Sequence, residues 1–296
     1  MTNTPSESDI DCRRSNTEYC HDVRDSANHG TEPSTATRRG ALIVNADDWG
    51  RDRENTDRTL DCVSRGTVSS VSAMVFMEDS ERAASIARAE GVDAGLHLNF
   101  TTPFSTKDCP SKLITCQGEI ARYLLANRIA QVLFHPALMN SFEYVVSAQL
   151  DEFYRIYGEA PKRLDGHHHM HLCSNVLFAR LLPAGTVVRR NFTFQPGEKV
   201  WFNRLYRQLV DRQLARRHHT TDLFFSLIPF DPPERLLRIF KLTEAFTVEV
   251  ETHPVRLEEY EFLMGDEILH LSKNLKSMVL RNTRTKSVHE YDRLAP

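Results

Sequence analysis

No Cys-x-x-Cys pair occurs among the six cysteines (Cys12, Cys20, Cys62, Cys109, Cys116 and Cys173), and two of them lie in a polar N-terminal segment. Neither a disulfide scaffold nor a thiolate zinc site is indicated, and free thiols are expected. Long apolar runs are also missing. Stretches such as ALIV at 41–44 fall far short of the ~20 residues that cross a bilayer, so a soluble chain without a membrane role is expected. Charge of one sign is lacking too. A formal net charge of -3 gives no concentrated basic surface, which excludes the electrostatic footprint of a nucleic-acid binder. Residues 1–40 have almost no aliphatic side chains, cannot offset the entropy of ordering, and are expected to form a disordered polar tail. That segment has no apolar stretch of the secretory kind, and its acids (Glu7, Asp9, Asp11, Glu18, Asp22) argue against a transit peptide. A cytoplasmic location is the default expectation.

From Ala41 onward short apolar runs alternate with amphipathic ones: ALIVNA, RENTDRTLDCVSRG, SSVSAMVF, DSERAASIARAEG, AGLHLNF. The rhythm predicts strand, helix, strand, helix, strand, an α/β arrangement with a parallel sheet and crossover helices. KRLDGHHHMHL, GTVVRRN and AFTVEVETHP read as further strands. With 296 residues, 41% of them hydrophobic, one catalytic domain over 41–275 is expected, followed by a helix or tail over 276–296.

Functional groups in such folds collect at the carboxyl ends of strands, and four segments qualify. NADDWG carries Asp47 and Asp48. Adjacent strand residues point to opposite sides, so both carboxylates reach one site only where the backbone turns, one to bind metal and the other to take a proton. A helix N-cap is the structural alternative. AGLHLNF carries His97, either a core histidine or a ligand. RLDGHHHMHL packs four histidines into five positions. If it is extended, Asp165, His167, His169 and His171 share one face and His168 the other; if it is helical, His167 and His171 pair at i, i+4. Gly166 and Pro161 favour a strand running into a loop. The fourth is His253 in VEVETHP, at a strand end before a proline. One carboxylate and two imidazoles from different strands would make a site for a borderline divalent ion with positions left for water and substrate.

The same four segments carry a resemblance. NADDWG resembles the NADDFG box, GLHLNF the GLHLN box, LDGHHHMH the LD-[SG]-HHH-x-H box and ETHP the late His-Pro box of the YdjC-like carbohydrate deacetylases, which include chitooligosaccharide deacetylases and the hopanoid-biosynthesis deacetylase. The resemblance spans roughly residues 41 to 260. It implies a distorted, TIM-barrel-like (β/α) barrel similar to that of polysaccharide deacetylases, and a hydrolase that removes N-acetyl groups from an acetylated amino sugar or oligosaccharide. Carried over by position, Asp48, His97 and His167 would hold one divalent metal ion. Ligand chemistry favours zinc; the resemblance favours magnesium. Asp47 would be the general base for the attacking water and His253 would protonate the departing amine. His169 would bind substrate or support the ligands, with metal ligation the lesser alternative. Asp165 would hold an imidazole in its tautomer, and Arg189 would contact substrate or the site carboxylates unless it is a surface arginine. Trp49 stands where the family usually has Phe; it would be a sugar platform or a core residue, with Phe104, Trp201 and Tyr206 as other platforms. Val255 replaces a glycine, residues 100–160 are only loosely family-like, and TTDLFFS at 220–226 is given no role. A homodimer is left open. The competing readings are an inactive metal- or sugar-binding protein of the same fold, and a metal-dependent phosphoesterase, which would favour a second metal and basic phosphate clamps.

Overall fold

A computed structural model describes residues 40–127, 129–194 and 201–274. The expected N-terminal tail, apart from Gly40, and the segment 276–296 lie outside these residues. In chain order the elements are β1 (Ala41–Trp49), α1 (Arg53–Arg65), β2 (Ser70–Ala73), α2 (Ser80–Glu90), β3 (Ala94–Leu98), α3 (Ser111–Ala126), α4 (Met139–Tyr157), β4 (Arg163–Gly166), α5 (Ser174–Phe178), β5 (Val187–Val188), α6 (Trp201–Ala215), β6 (Leu223–Ser226), α7 (Glu234–Leu242), β7 (Thr247–Thr252), α8 (Leu257–Met264) and α9 (Glu267–Asn274). Local chemistry sets several ends. Asp52 caps α1 by accepting the Asn55 N–H at 2.9 Å, and Gly66 closes it at φ 80, a left-handed conformation that glycine adopts without a Cβ clash.

Among the described residues the strands form one parallel sheet in the order β5-β4-β3-β2-β1-β7-β6. Its two edges also meet. The Val188 N–H donates to His219 O at 2.8 Å, the His219 N–H to Thr186 O at 3.1 Å, and the Thr193 N–H to Phe224 O at 2.7 Å. Strand follows strand around the ring in sequence order, so the expected distorted (β/α) barrel is what forms. No described helix is long and apolar enough to cross a membrane.

Both faces of the sheet are buried, but they differ in kind. Val44 and Ala46 of β1, Val71 and Ala73 of β2, Leu96 and Leu98 of β3 and Val248 and Val250 of β7 join the apolar core beneath the helices. The alternate positions, Asn45, Asp47, Ser70, Ser72, His97, Asp165, Glu249 and Glu251, are buried too and turn into the lumen, because strand side chains alternate. The lumen is therefore a hydrogen-bonded polar network. Ser70 Oγ donates to Asn45 Oδ1, Asn45 Nδ2 to Ser72 Oγ and Asp47 Oδ1 (each 2.8 Å), and Ser72 Oγ to Asp165 Oδ2 at 2.6 Å. Bonded in this way, Ser70, Asn45 and Ser72 avoid the cost of unpaired polar atoms.

One expectation needs correction. The strand expected through KRLDGHHHMHL ends at Gly166, where the chain enters a 3-10 turn over His167–Leu172 with His168 and His169 at φ 55 and 57. TTDLFFS, given no role from sequence, supplies β6, which pairs with β7 from Leu223↔Val248 to Ser226↔Glu251. Four residues are too few for a periodicity signal; pairing on a longer neighbour makes them a strand.

Candidate metal centre and its carboxylate network

Asp48 is a non-glycine residue at φ 64, and the β1–β2 register shifts between Ala46 and Trp49. This local turn brings both neighbouring carboxylates inward, and each is then held differently. Asp48 Oδ1 lies 2.9 Å from His167 Nδ1 and 3.4 Å from His97 Nε2, while Arg51 donates to Asp48 Oδ2 at 3.1 Å. Although close to two ring nitrogens, Asp48 Oδ1 is buried and has no hydrogen bond of acceptable direction. One donor atom from each of Asp48, His97 and His167 lies within 4.8 Å of the other two. An orphaned carboxylate oxygen facing two imidazoles fits a divalent cation by donor chemistry and spacing.

Asp47 is anchored by Arg189, which donates through both terminal nitrogens at 2.7 Å. The same guanidinium lies 2.7 Å from Asp165 Oδ2 and donates through Nε to Glu249 at 2.7 Å. Its flat face lies over the Phe224 ring, 5.0 Å from the centroid. Asp47, His97 and Asp165 also form a cluster with metal-like spacing, but Arg189 already supplies a cation to both of its carboxylates. Asp165 Oδ1 accepts from His97 Nδ1 at 2.8 Å. That bond turns His97 Nε2 toward Asp48 and fixes the ring's orientation.

Charge follows these contacts. Burial, the largest single influence, pulls His97 down, yet Asp165 and Asp47 override it and raise the imidazole to about 10. Burial likewise raises Asp47 and Asp48, and is overridden by Arg189 at Asp47 and by the two imidazoles at Asp48, so both are held below the usual range. Burial pushes Glu249 up despite Arg189, and Glu251 well up with Asp47 adding to it. His169 falls to about 3 and His171 to about 4, mainly through burial.

The shared face expected for Asp165, His167, His169 and His171 does not form, because two successive left-handed residues splay the histidines. Asp165 and His167 join the centre. His168 Nδ1 lies 3.1 Å from Thr101 Oγ1, His169 Nε2 lies 3.6 Å from Glu251 Oε2, and His171 Nε2 donates to Arg189 O at 3.0 Å. Neither His169 nor His171 belongs to the metal-spaced cluster. Thr252 pairs with Ala46, so continuing that register sets His253 level with Asp47. Glu259 holds this turn by accepting from Thr252 Oγ1 and the His253 N–H, and His253 Nδ1 is buried without a partner.

The alternatives left open at Trp49 and Arg189 are decided by burial. Trp49 is fully buried in the apolar core, so it presents no face to a sugar; the residue after a left-handed Asp48 points back beneath the helices. Arg189 is buried at the site carboxylates and is not a surface arginine. Phe104 packs edge-on against Phe76 at 5.4 Å, Tyr206 is 38% exposed on α6, and the Trp201 side chain lies outside the described residues. Sequence reasoning missed Glu249, Glu251 and Glu259. The signal for the first two was present: in TVEVET acids alternate with valines at period two, which places both on one face of a strand otherwise rich in β-branched residues.

The family model for YdjC-like proteins matches residues 41–291. A carbohydrate deacetylase of Danio rerio is 28% identical over 161 residues, covering 53% of this chain and 50% of that protein. A chitooligosaccharide deacetylase of Proteus mirabilis is 30% identical over 229 residues, covering 73% and 82%. The chain thus spans about half the length of the first relative and most of the second. A solved structure from Enterococcus faecalis V583, described as a candidate cellobiose-phosphate cleavage protein, shares the fold with a TM-score of 0.58 at 18% identity, covering 87% of this chain and all of that one. The boxes at Asp47–Asp48, His97, His167 and His253 lie within a family match over most of the chain: it belongs to the YdjC-like family.

Proposed function

We propose that the protein hydrolyses the N-acetyl group of an acetylated amino sugar or oligosaccharide, using one divalent ion held by Asp48, His97 and His167. The observation that carries this reading is Asp48 Oδ1, buried and unbonded between two imidazole nitrogens, beside a second carboxylate anchored independently of it. Charge favours a cation. Asp47, Asp48 and Asp165 contribute three negative charges, and Arg189 and Arg51 two positive ones, while an ion binding His97 replaces the ring's Nε2 proton.

Such an ion supplies Lewis-acid polarisation of an acetyl carbonyl and of water. The chain's own groups do the rest. Asp47, ionised and fixed by the Arg189 fork, accepts the proton of the attacking water. Asp165 keeps His97 oriented. His253, level with Asp47 and with a buried free Nδ1, passes a proton to the departing sugar nitrogen. Arg189 fills the second acidic cluster, which weighs against a two-metal phosphoesterase. Similarity to proteins named carbohydrate and chitooligosaccharide deacetylase supports the substrate class.

The test is acetate release from N-acetylated chitooligosaccharides and acetylated amino-sugar monomers after chelation and after restoring Mg2+ or Zn2+. Release that is lost on chelation and regained with one metal is expected. No acetate from any acetylated sugar with either metal would overturn the proposal and favour a sugar- or metal-binding role.

A further inference from the structure

The polar lumen holds an aromatic pair that its hydrogen-bonded network does not explain. Phe225 of β6 joins the apolar core beneath the helices, whereas its neighbour Phe224, though fully buried, does not, because successive strand side chains turn to opposite faces. Phe224 stands instead on the Arg189 side of the sheet, with the guanidinium 5.0 Å from its centroid. Phe192 stacks on it, centroids 4.6 Å apart and ring planes 13° from parallel. Phe192 follows Arg189 beyond the carboxyl end of β5, the same end at which β1 delivers Asp47 and Asp48. It too lies outside the apolar core, and it is only half-buried.

The chain is pinned on both sides of this ring. The Asn191 N–H and Nδ2 both donate to Asp211 Oδ1 at 3.0 Å. The Thr193 N–H donates to Phe224 O at 2.7 Å, and the Phe224 N–H returns a bond to Thr193 Oγ1 at 3.1 Å. His169 takes up the flank, its centroid 4.7 Å from Phe192 and 5.9 Å from Phe224. A ring lying over the outer face of Phe192 would stand much farther from Phe224, so these separations set His169 beside the pair. The outer face of Phe192 is clear of both rings.

We propose that this outer face is the platform on which a pyranose ring of the acetylated sugar packs, setting its acetamido group toward Asp48, His97 and His167. This deepens the deacetylase reading and rests on it for the identity of the ligand. A pyranose offers a C–H face, and a phenyl ring supplies a large, stiff surface to cover it. The surroundings select a sugar over an aliphatic chain: His169, its side chain 32% exposed, stands at the edge of the platform and the carboxylate lumen lies behind it. An apolar chain seated there would strip water from these polar groups without replacing its hydrogen bonds, whereas sugar hydroxyls replace them. With Trp49 in the core, Phe192 is the aromatic that reaches the centre, through Phe224 and the Arg189 guanidinium that holds Asp47.

Two substitutions separate a platform from a residue that only closes the barrel edge. Phe192→Leu keeps apolar bulk over Phe224 but loses the flat face, and Phe192→Trp keeps the face; thermal melting checks that both fold. Titration calorimetry with N-acetylated chitooligosaccharide uses the zinc-loaded full chain carrying Asp47→Asn, so that the sugar is not consumed. Phe192→Leu is expected to weaken binding by about tenfold, the scale of one lost aromatic contact, and Phe192→Trp to bind at least as tightly as Phe192. With Asp47 restored, KM is expected to rise more than kcat falls in Phe192→Leu. Should either variant fail to fold, nuclear Overhauser effects from the Phe192 ring to the sugar's axial protons, read in the Asp47→Asn protein, are expected in its place. Unchanged affinity in Phe192→Leu, equal loss in both variants, no such Overhauser effect, or no sugar binding at all overturns the proposal. Sugar bound on Phe192 with no acetate released by the unsubstituted protein would sink the deacetylase reading and leave the platform standing.

Discussion

Asp47 and Asp48 are chain neighbours with separate attachments, and that separation makes their roles testable one at a time. Asp48 touches His97 and His167; Asp47 touches Arg189 and Asn45. Replacing Asp48, His97 or His167 by Ala is expected to lower the metal retained after dialysis, read by elemental analysis; full occupancy in all three variants would remove the proposed ligand set. Asp47→Asn is expected to keep most of the metal and lose about 10²-fold or more in turnover, the usual scale of general-base loss, as measured by steady-state acetate release. Near-normal turnover would take Asp47 out of the reaction. At this scale the sequence was legible where a residue type has few other uses in an apolar setting: His97 inside AGLHLNF and the double Asp of NADDWG. Glu251 was not legible as part of the site, because only the lumen makes it a neighbour of His169.

Elements hold these residues through close approaches that leave no room for a side chain. A Cβ on Gly166 would come within 3.1 Å of the His171 Cβ and N and of Leu98 O. Gly166 therefore lets β4 end against β3 and swing directly into His167. Gly166→Ala is expected to push these neighbours apart, lowering the melting temperature by several degrees, on the scale of 1 kcal/mol or more in a domain of this size, and weakening metal binding through His167. Thermal melting and metal titration check this; an unchanged protein on both counts would mean that the turn relaxes freely. Helix α1 was readable in sequence as the amphipathic segment RENTDRTLDCVSRG, and the structure adds Asp52 as its cap. The end of β4 was not. No proline follows Gly166 in HHHMHL, and alternation alone continues a strand that the tight contact with β3 and His171 in fact terminates.

For the molecule as a whole, burial is divided between an apolar layer under the helices and a polar lumen, and Trp49 lies in the first. Trp49→Ala is expected to cost about 3–5 kcal/mol, the usual loss for a large aromatic removed from a core, and to leave sugar affinity of the folded fraction unchanged. Chemical denaturation and ligand titration measure the two separately; a stable variant with weakened sugar binding would place Trp49 at the site after all. Barrel closure makes its own demand, that the Val188, His219 and Thr193 amides, which bridge the two edges, exchange slowly with solvent. Periodicity and strand-end chemistry are local properties, carried by neighbours along the chain, so the α/β rhythm from Ala41 onward, the resemblance to the YdjC-like boxes and the candidates Asp47, Asp48, His97 and His167 could be read without a structure. Which face each residue takes after a turn, and which distant acid it meets, depends on backbone dihedrals and on register between strands far apart in sequence. For that reason only the tertiary structure decided that Trp49 belongs to the core, that Arg189 serves several carboxylates at once, that the histidine cluster divides, and that Glu251 faces His169.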